Sequence, residues 1–518
     1  MSTDTEAVAR SAAAPTTADA ARFLAQATFG ATPEQVAYVQ QVGFEIFLNE
    51  QFHAEPSGYP ELPLWPATVP ADCTGTCVRD NYSVYPLQQV FFRNAVTGGD
   101  QLRQRVVFAL NQLFVTSAVD ANLRLPSRMT PYLRTLGQHA FGSFRDLLYH
   151  VTLNPAMGRY LDMAGNNRTN PNENYARELL QLFSIGLYEL NDDGTPILDA
   201  RGAPIPTYDQ ETVVALSRVL TGWNFAAAPA PGLTNYSAPM ALTQGNHDVG
   251  AKRLLNGLVL GPNRNGRDDL NAAIDNIFAH HNVGPFIGRQ LIQKLVTSNP
   301  SPAYVRRVAA AFNDNGFGAR GDMKSVVRAI LLDPEARDPK PPPSFGKLRE
   351  PVLAITSLLR AFSTTEATTD FVLGDSFIPS TLRLGQDVFR ATSVFNFYPP
   401  DNPAPGTDLL GPEFALQSTA TSLARINLVY AIVYRTMGTS ADRPKGTWVD
   451  LAEFEAIAHD PPGLVAALDQ RLLHGTMADD MRRVVVDRVA AIAATDRRGR
   501  ARRAVYLIAS SSRYQVQR

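Results

Sequence analysis

The chain has 518 residues, 45% of them hydrophobic and 19% charged, with a formal net charge of −1. This composition excludes the charge-rich, apolar-poor disordered class and leaves a folded protein with a large core. A near-neutral surface offers no general field for a phosphate backbone, so nucleic acid is not an expected partner, and no stretch reaches the roughly eighteen apolar residues of a transmembrane helix.

Met1 to Thr17 is small and polar, without the basic and apolar regions of a secretory signal. Residues 1–20 read as a flexible leader and 21–518 as a single helical unit. Thr32-Pro33-Glu34-Gln35 has the order of a helix start: a capping hydroxyl, a proline that fits the first turn, and a capping-box glutamine. Cys73 and Cys77 flank Gly75, which lets the chain fold back far enough for a small disulfide loop. Two free thiols are equally compatible with that spacing, whereas one cysteine pair supplies only half a tetrahedral zinc site.

Helical spacing of apolar residues recurs over 101–116, 131–152, 174–185, 211–221, 269–280, 283–297, 302–313, 322–332, 348–362, 412–434, 478–494 and 500–511. Between residues 187 and 262 the pattern changes. Asp193-Gly194 separates Leu187–Leu190 from Pro196–Leu198, a hairpin signal, and a second short pair is expected around Lys252 to Leu260. The run Asp338 to Pro343 marks a possible sub-boundary at 338–345, or a brace between packed helices. The arginines from Arg497 to Arg503 read as a solvated helix face. The expected class is mainly α, a large multi-helix globular fold with one or two short β-hairpins around 187–262.

Chemistry is most legible in Asn170 to Phe183. Asn170, Pro171 and Glu173 have the order of a helix start, which gives Glu173 a structural role. Beyond them Asn174, Glu178 and Gln181 align at i, i+4 and i+7 on an otherwise apolar helix, with Arg177 beside them. A buried polar stripe must line a cavity or close on itself as an ion-pair network. Thr207 and Gln210 suggest another capping box, with Asp209 and Glu211 as first-turn acids. Asp209 could instead pair with Glu178 as acid and base, and Trp223 could stack a flat ligand or fill the core. His247, Asp248 and Lys252 coincide in one expected loop, although adjacent residues of an extended segment face opposite ways. His280-His281 reads as a helix terminus. The candidate catalytic residues are Glu178, Asp209 and His247; the candidate substrate-binding residues are Asn174, Arg177, Trp223, Asp248, Lys252 and Arg349. No metal-ligand set and no cofactor is assigned, and no phosphate loop, zinc helix or nucleophile elbow is present.

Several segments together resemble a known family: Ala21 to Gly30, Asn172 to Leu180, Leu220-Thr221-Gly222-Trp223, His247-Asp248, Lys347-Leu348-Arg349-Glu350-Pro351 and Ser393-Val394-Phe395-Asn396-Phe397-Tyr398. These are similar to the signatures of the bacterial "domain of unknown function 1800" family, over about residue 21 to the end. The resemblance implies an exported, periplasmic or secreted protein, and with it a bonded Cys73–Cys77 pair. It also implies gene neighbours from a second exported family resembling phosphatases and sulfatases. Three functions are therefore expected in turn: a hydrolase or lyase on an extracellular polymer, most readily carbohydrate, using Glu178 and Asp209; a noncatalytic partner of a phosphatase- or sulfatase-like protein; or a metal or redox site at His247 and Asp248. The first requires Asn174, Arg177, Glu178, Asp209, Trp223, His247 and Arg349 to converge on one open pocket.

Overall fold

The computed structural model describes residues 14–362, 378, 380–437 and 446–518. Residues 1–13 of the expected leader lie outside that set, and its last four residues are helical, because a helix Thr17–Ala27 begins with Thr16 accepting from the Asp19 amide. Helices dominate the described residues, as their apolar periodicity requires. Thr32 caps the helix Pro33–His53 by accepting from the Gln35 amide at 3.2 Å.

Most expected helices form near their expected bounds, including Gln101–Leu113, Val283–Leu295, Pro302–Asn313 and Pro351–Ala361. The exceptions have local causes. The 131–152 segment divides into Pro126–His139 and Phe144–Thr152, because the backbone at Ser143 bridges Asp322 instead of continuing the helix. The 412–434 segment divides into a short turn, Pro412–Leu416, and a helix Thr419–Val433 that restarts where Ser418 caps Thr421. Helices Tyr85–Thr97 and Pro461–Leu473 were not anticipated. Arg500 departs from the solvated face expected of its run: it is buried and donates to the carbonyls of Ala458, His459 and Ile492.

Both expected β features are present. Limb 187–190 bonds to 196–198 and to 204–206, through Ile197 N to Glu189 O at 2.7 Å and Glu189 N to Ile205 O at 2.8 Å. Lys252–Arg253 pairs antiparallel with Val259–Leu260. Two further antiparallel pairs join distant segments, Trp223–Asn224 with Ala241–Leu242 and Lys347–Leu348 with Val516–Gln517.

One contiguous apolar core runs from Ala20 to Tyr514 and includes Ala336 and Phe345, on either side of the proline run. A small satellite holds Cys73, Tyr82 and Leu125 against Trp65. Cys73 and Cys77 are disulfide-bonded, which decides among the alternatives their spacing left open. So short a loop removes little entropy from the unfolded chain. Replacing both cysteines by serine is expected to cost about 2 kcal/mol or less, read as a lower urea midpoint with unchanged slope and unchanged helical circular dichroism.

Candidate functional site

The residues singled out from sequence do not converge. Asp209 is exposed and is the N-cap of helix Gln210–Val219, accepting from the Thr212 amide at 2.8 Å, which holds its carboxyl below the usual range. Thr207, expected in that capping role, donates instead to Gly186 O. Helix Asn174–Gln181 starts later than expected, after a turn in which Asn172 accepts from the Asn174 amide, so Asn170 and Pro171 do not cap it. Asn174 donates to Asp162, and Arg177 pairs with Glu173 at 3.0 Å and touches Gln210. Glu178 is half-buried with Oε2 sealed and unpartnered; burial pushes its carboxyl up. It lines none of the five principal clefts.

The His247 loop is a structural network. His247 is fully buried, with Nδ1 3.0 Å from Thr221 O and Nε2 3.2 Å from Asp269, so neither ring nitrogen faces a ligand. Lys252 Nζ reaches Asp269 at 2.8 Å and the carbonyls of Asp248 and Gly250. Asp248 is gripped by Arg218 through two bonds of 2.9 Å. Burial alone would push the Asp269 carboxyl up, but hydrogen bonds from Lys252, Arg264 and His247 outweigh it and hold it low. Trp223 is a core side chain and not a stacking platform, with no exposed surface. Glu189, His280 and His281 are the one group of metal-competent side chains among the described residues. The Asn282 amide donates to His280 Nδ1 at 3.2 Å, which places the neutral ring's proton on Nε2, facing Glu189. Burial, with His281 and Arg320, pushes the His280 pKa down to about 4, so the ring stays neutral near pH 7. The trio ties hairpin to helix corner through the 2.9 Å approach of His281 Nε2 to Glu189 and the stacking of the two imidazole rings.

The chemistry the sequence did not single out lies at the buried C-terminal end of helix Val283–Leu295. Its last carbonyls have no partner within the helix and carry partial negative charge. Arg105 donates to Lys294 O at 2.6 Å, Lys347 donates to the carbonyls of Gln293 and Lys294 at 3.0 Å, and Gln517 donates to Leu295 O at 2.7 Å. Lys347 also pairs with Glu413 at 2.9 Å, both essentially sealed from solvent. Glu350, fully buried, accepts from Gln112, Gln386 and the Tyr398 hydroxyl. Burial pushes its carboxyl up, but Lys347, Arg105 and Lys294 together hold it below the usual range.

Lys294 stands apart in this cluster. It is 4% exposed, and its ammonium makes no hydrogen bond or ion pair among the described residues; it sits 4.3 Å over the Tyr398 ring. Burial lowers its pKa to about 8, the neighbouring Lys347 and Arg105 adding to the fall while Glu350 and Glu413 oppose it. The lysine lies at the floor of an open cleft of about 350 Å³, with Gln112, Gln293 and Tyr398. Leu113, Leu182, Phe286 and Val394 supply apolar wall, and Gln290 also lines the cleft, with its Nε2 sealed and unpartnered. Asn396 takes a left-handed conformation, φ 65°, in the turn that leaves Phe395 at the lip and brings Tyr398 to the floor. Gly186 comes so close to Phe286 that a Cβ would lie 2.7 Å from the ring.

Gln181, the last member of the polar stripe, also lines this cleft; Asn174 and Glu178 do not. Lys347, Glu350 and Tyr398 lay inside quoted signatures without a role, and Arg105, Gln112, Lys294 and Glu413 were missed. The stripe criterion applied to helix Gln101–Leu113 finds Arg105 and Gln112, seven residues apart on one buried face.

Replacing Asp269 by Asn is expected to destabilise the protein by about 3–5 kcal/mol, because it leaves Lys252 buried beside a neutral amide. Chemical denaturation measures this; a loss under 1 kcal/mol would contradict a structural role for the network.

No curated protein and no solved structure matches the chain. A family model described as "Protein of unknown function (DUF1800)" matches residues 22–516. Nearly the whole described fold, from the first helix to the closing strand, lies within that match, and the chain belongs to this family.

Proposed function

We propose that the cleft above Lys294 is a catalytic pocket in which the lysine amine is a general base, in a hydrolase or lyase acting on a compact, partly apolar organic substrate bearing a carbonyl group. The observation that carries this reading is a buried lysine without a carboxylate partner at the floor of an open cleft. With a pKa of about 8, about a tenth of such a lysine is neutral amine at pH 7, enough to accept a proton from water or from carbon beside a carbonyl. Once it has taken the proton, the Lys294 ammonium, which has no carboxylate partner of its own, stabilises negative charge developing on the substrate. The apolar wall excludes water around the reacting group.

This reading keeps the reaction class expected from sequence and moves the base from Glu178 and Asp209 to Lys294. A cleft of this size takes a small molecule or the end of a longer chain, and nothing in its lining singles out carbohydrate.

Competitive labelling with limiting acetic anhydride, read by peptide mass spectrometry across pH, is expected to titrate Lys294 near 8. On a panel of esters, amides and hydroxy acids, Lys294→Met and Lys294→Arg are each expected to lower turnover by about 10²–10⁴-fold, since arginine keeps the charge but cannot act as a base. Full turnover in either variant, or ordinary titration of Lys294, rejects the proposal.

A further inference from the structure

We propose that a second cavity, walled by Arg22, Arg349, His474 and Arg513, binds a compact multivalent oxyanion, a phosphate or sulfate group. The cavity measures about 220 Å³, and Pro339 and Pro341 from the proline run form part of its wall. Arg349 lies between Lys347 and Glu350 in sequence, yet it lines this cavity and not the Lys294 cleft.

Charge is the first argument. Four arginines, Arg22, Arg349, Arg513 and Arg518, line the cavity with one acidic side chain, Asp19, which already pairs with Arg22 at 3.0 Å and accepts from Thr16; Asp338 also acts on Arg22 from outside the lining. No carboxylate pairs with Arg349 among the described residues, although the side chain is only 6% exposed. A buried guanidinium without a counter-ion is costly unless a ligand supplies the charge.

Unmet hydrogen-bonding capacity is the second. Arg349 donates through Nη1 to Tyr514 O and stacks its guanidinium 4.8 Å over the Tyr514 ring, which fixes its plane, while its Nε is sealed without a partner. His474 is held in place by a left-handed backbone, φ 58°, at the end of helix Pro461–Leu473. Burial, with the charges of Arg349 and Arg22, pushes its pKa down to about 4, so the ring is neutral near pH 7. Guanidinium groups contributed by separate segments of the chain suit a tetrahedral oxyanion better than a planar carboxylate, and the volume accommodates one such group.

The test is isothermal titration and thermal shift of the whole protein with inorganic phosphate, at ionic strength matched with sodium chloride. Sulfate and glycerol phosphate are parallel arms, and acetate is the monovalent comparator. A saturable rise in Tm with phosphate or sulfate but not acetate is expected. Affinity should fall about 10-fold or more in Arg513→Ala, an exposed position whose loss leaves the fold intact, and in Arg349→Lys, and should be unchanged in Lys294→Met. Equal binding of glycerol phosphate identifies a phosphoryl group on a larger molecule as the ligand, and binding of inorganic phosphate alone identifies the free ion. Absence of a saturable effect beyond matched chloride, or binding unaltered in both arginine variants, overturns the proposal.

Discussion

The end of helix Val283–Leu295 is the constraint on which the centre of the molecule depends. A helix terminus inside a core leaves carbonyls that water cannot reach, and a buried end without partners is not tolerated. Here the partners come from far apart in the chain: Arg105, Lys347 and Gln517 donate to three successive carbonyls. The strand pair Lys347–Leu348 with Val516–Gln517 holds two of those donors together, and helix Gln101–Leu113 brings the third. Satisfying one helix end thus gathers the early, central and closing segments of the chain at one point.

The cations brought in for the carbonyls create the next requirement. Glu350 and Glu413 balance their charge, and Gln112, Gln386 and Tyr398 complete the acceptor shell of Glu350. Lys294, on the same helix end, enters a sealed region where two cations, Arg105 and Lys347, already face two carboxylates, Glu350 and Glu413. Burial without a paired carboxylate penalises its charged form, and this is why its pKa falls although two carboxylates lie nearby. The contrast with Asp269 is instructive. There a single carboxylate is shared by His247, Lys252 and Arg264, every atom is committed, and the network stabilises without opening to a cleft. Buried charge marks a candidate site only where one member remains unpaired and the space beside it is open.

The hairpin limbs at 187–206 form the opposite lip of the cleft, and their placement is equally over-determined. Asn282, at the start of helix Val283–Leu295, donates to the carbonyls of Ile185 and Tyr188 and accepts from Leu190. The helix that carries Lys294 at one end therefore fixes the cleft's lip at the other. Gly186 permits the close approach of that lip to Phe286.

Local patterns were legible in the sequence. Apolar periodicity determined the helices, Thr32 one of their caps, Asp193-Gly194 a hairpin, and the signature segments the family. All of these depend on residues within a few turns of one another, where spacing alone specifies which side chains share a face. Of the polar positions Asn174, Glu178 and Gln181 on helix Asn174–Gln181, only Gln181 lines this cleft, because the depth of each position depends on neighbours that the segment itself does not contain. Pairings such as Arg105 with Lys294 O, Lys347 with Glu413 and Gln112 with Glu350 span tens to hundreds of residues. Nothing local distinguishes Lys294 from a surface lysine. Its burial, its missing counter-ion and its open cleft are properties of how distant segments pack, and that was decided only by the tertiary structure.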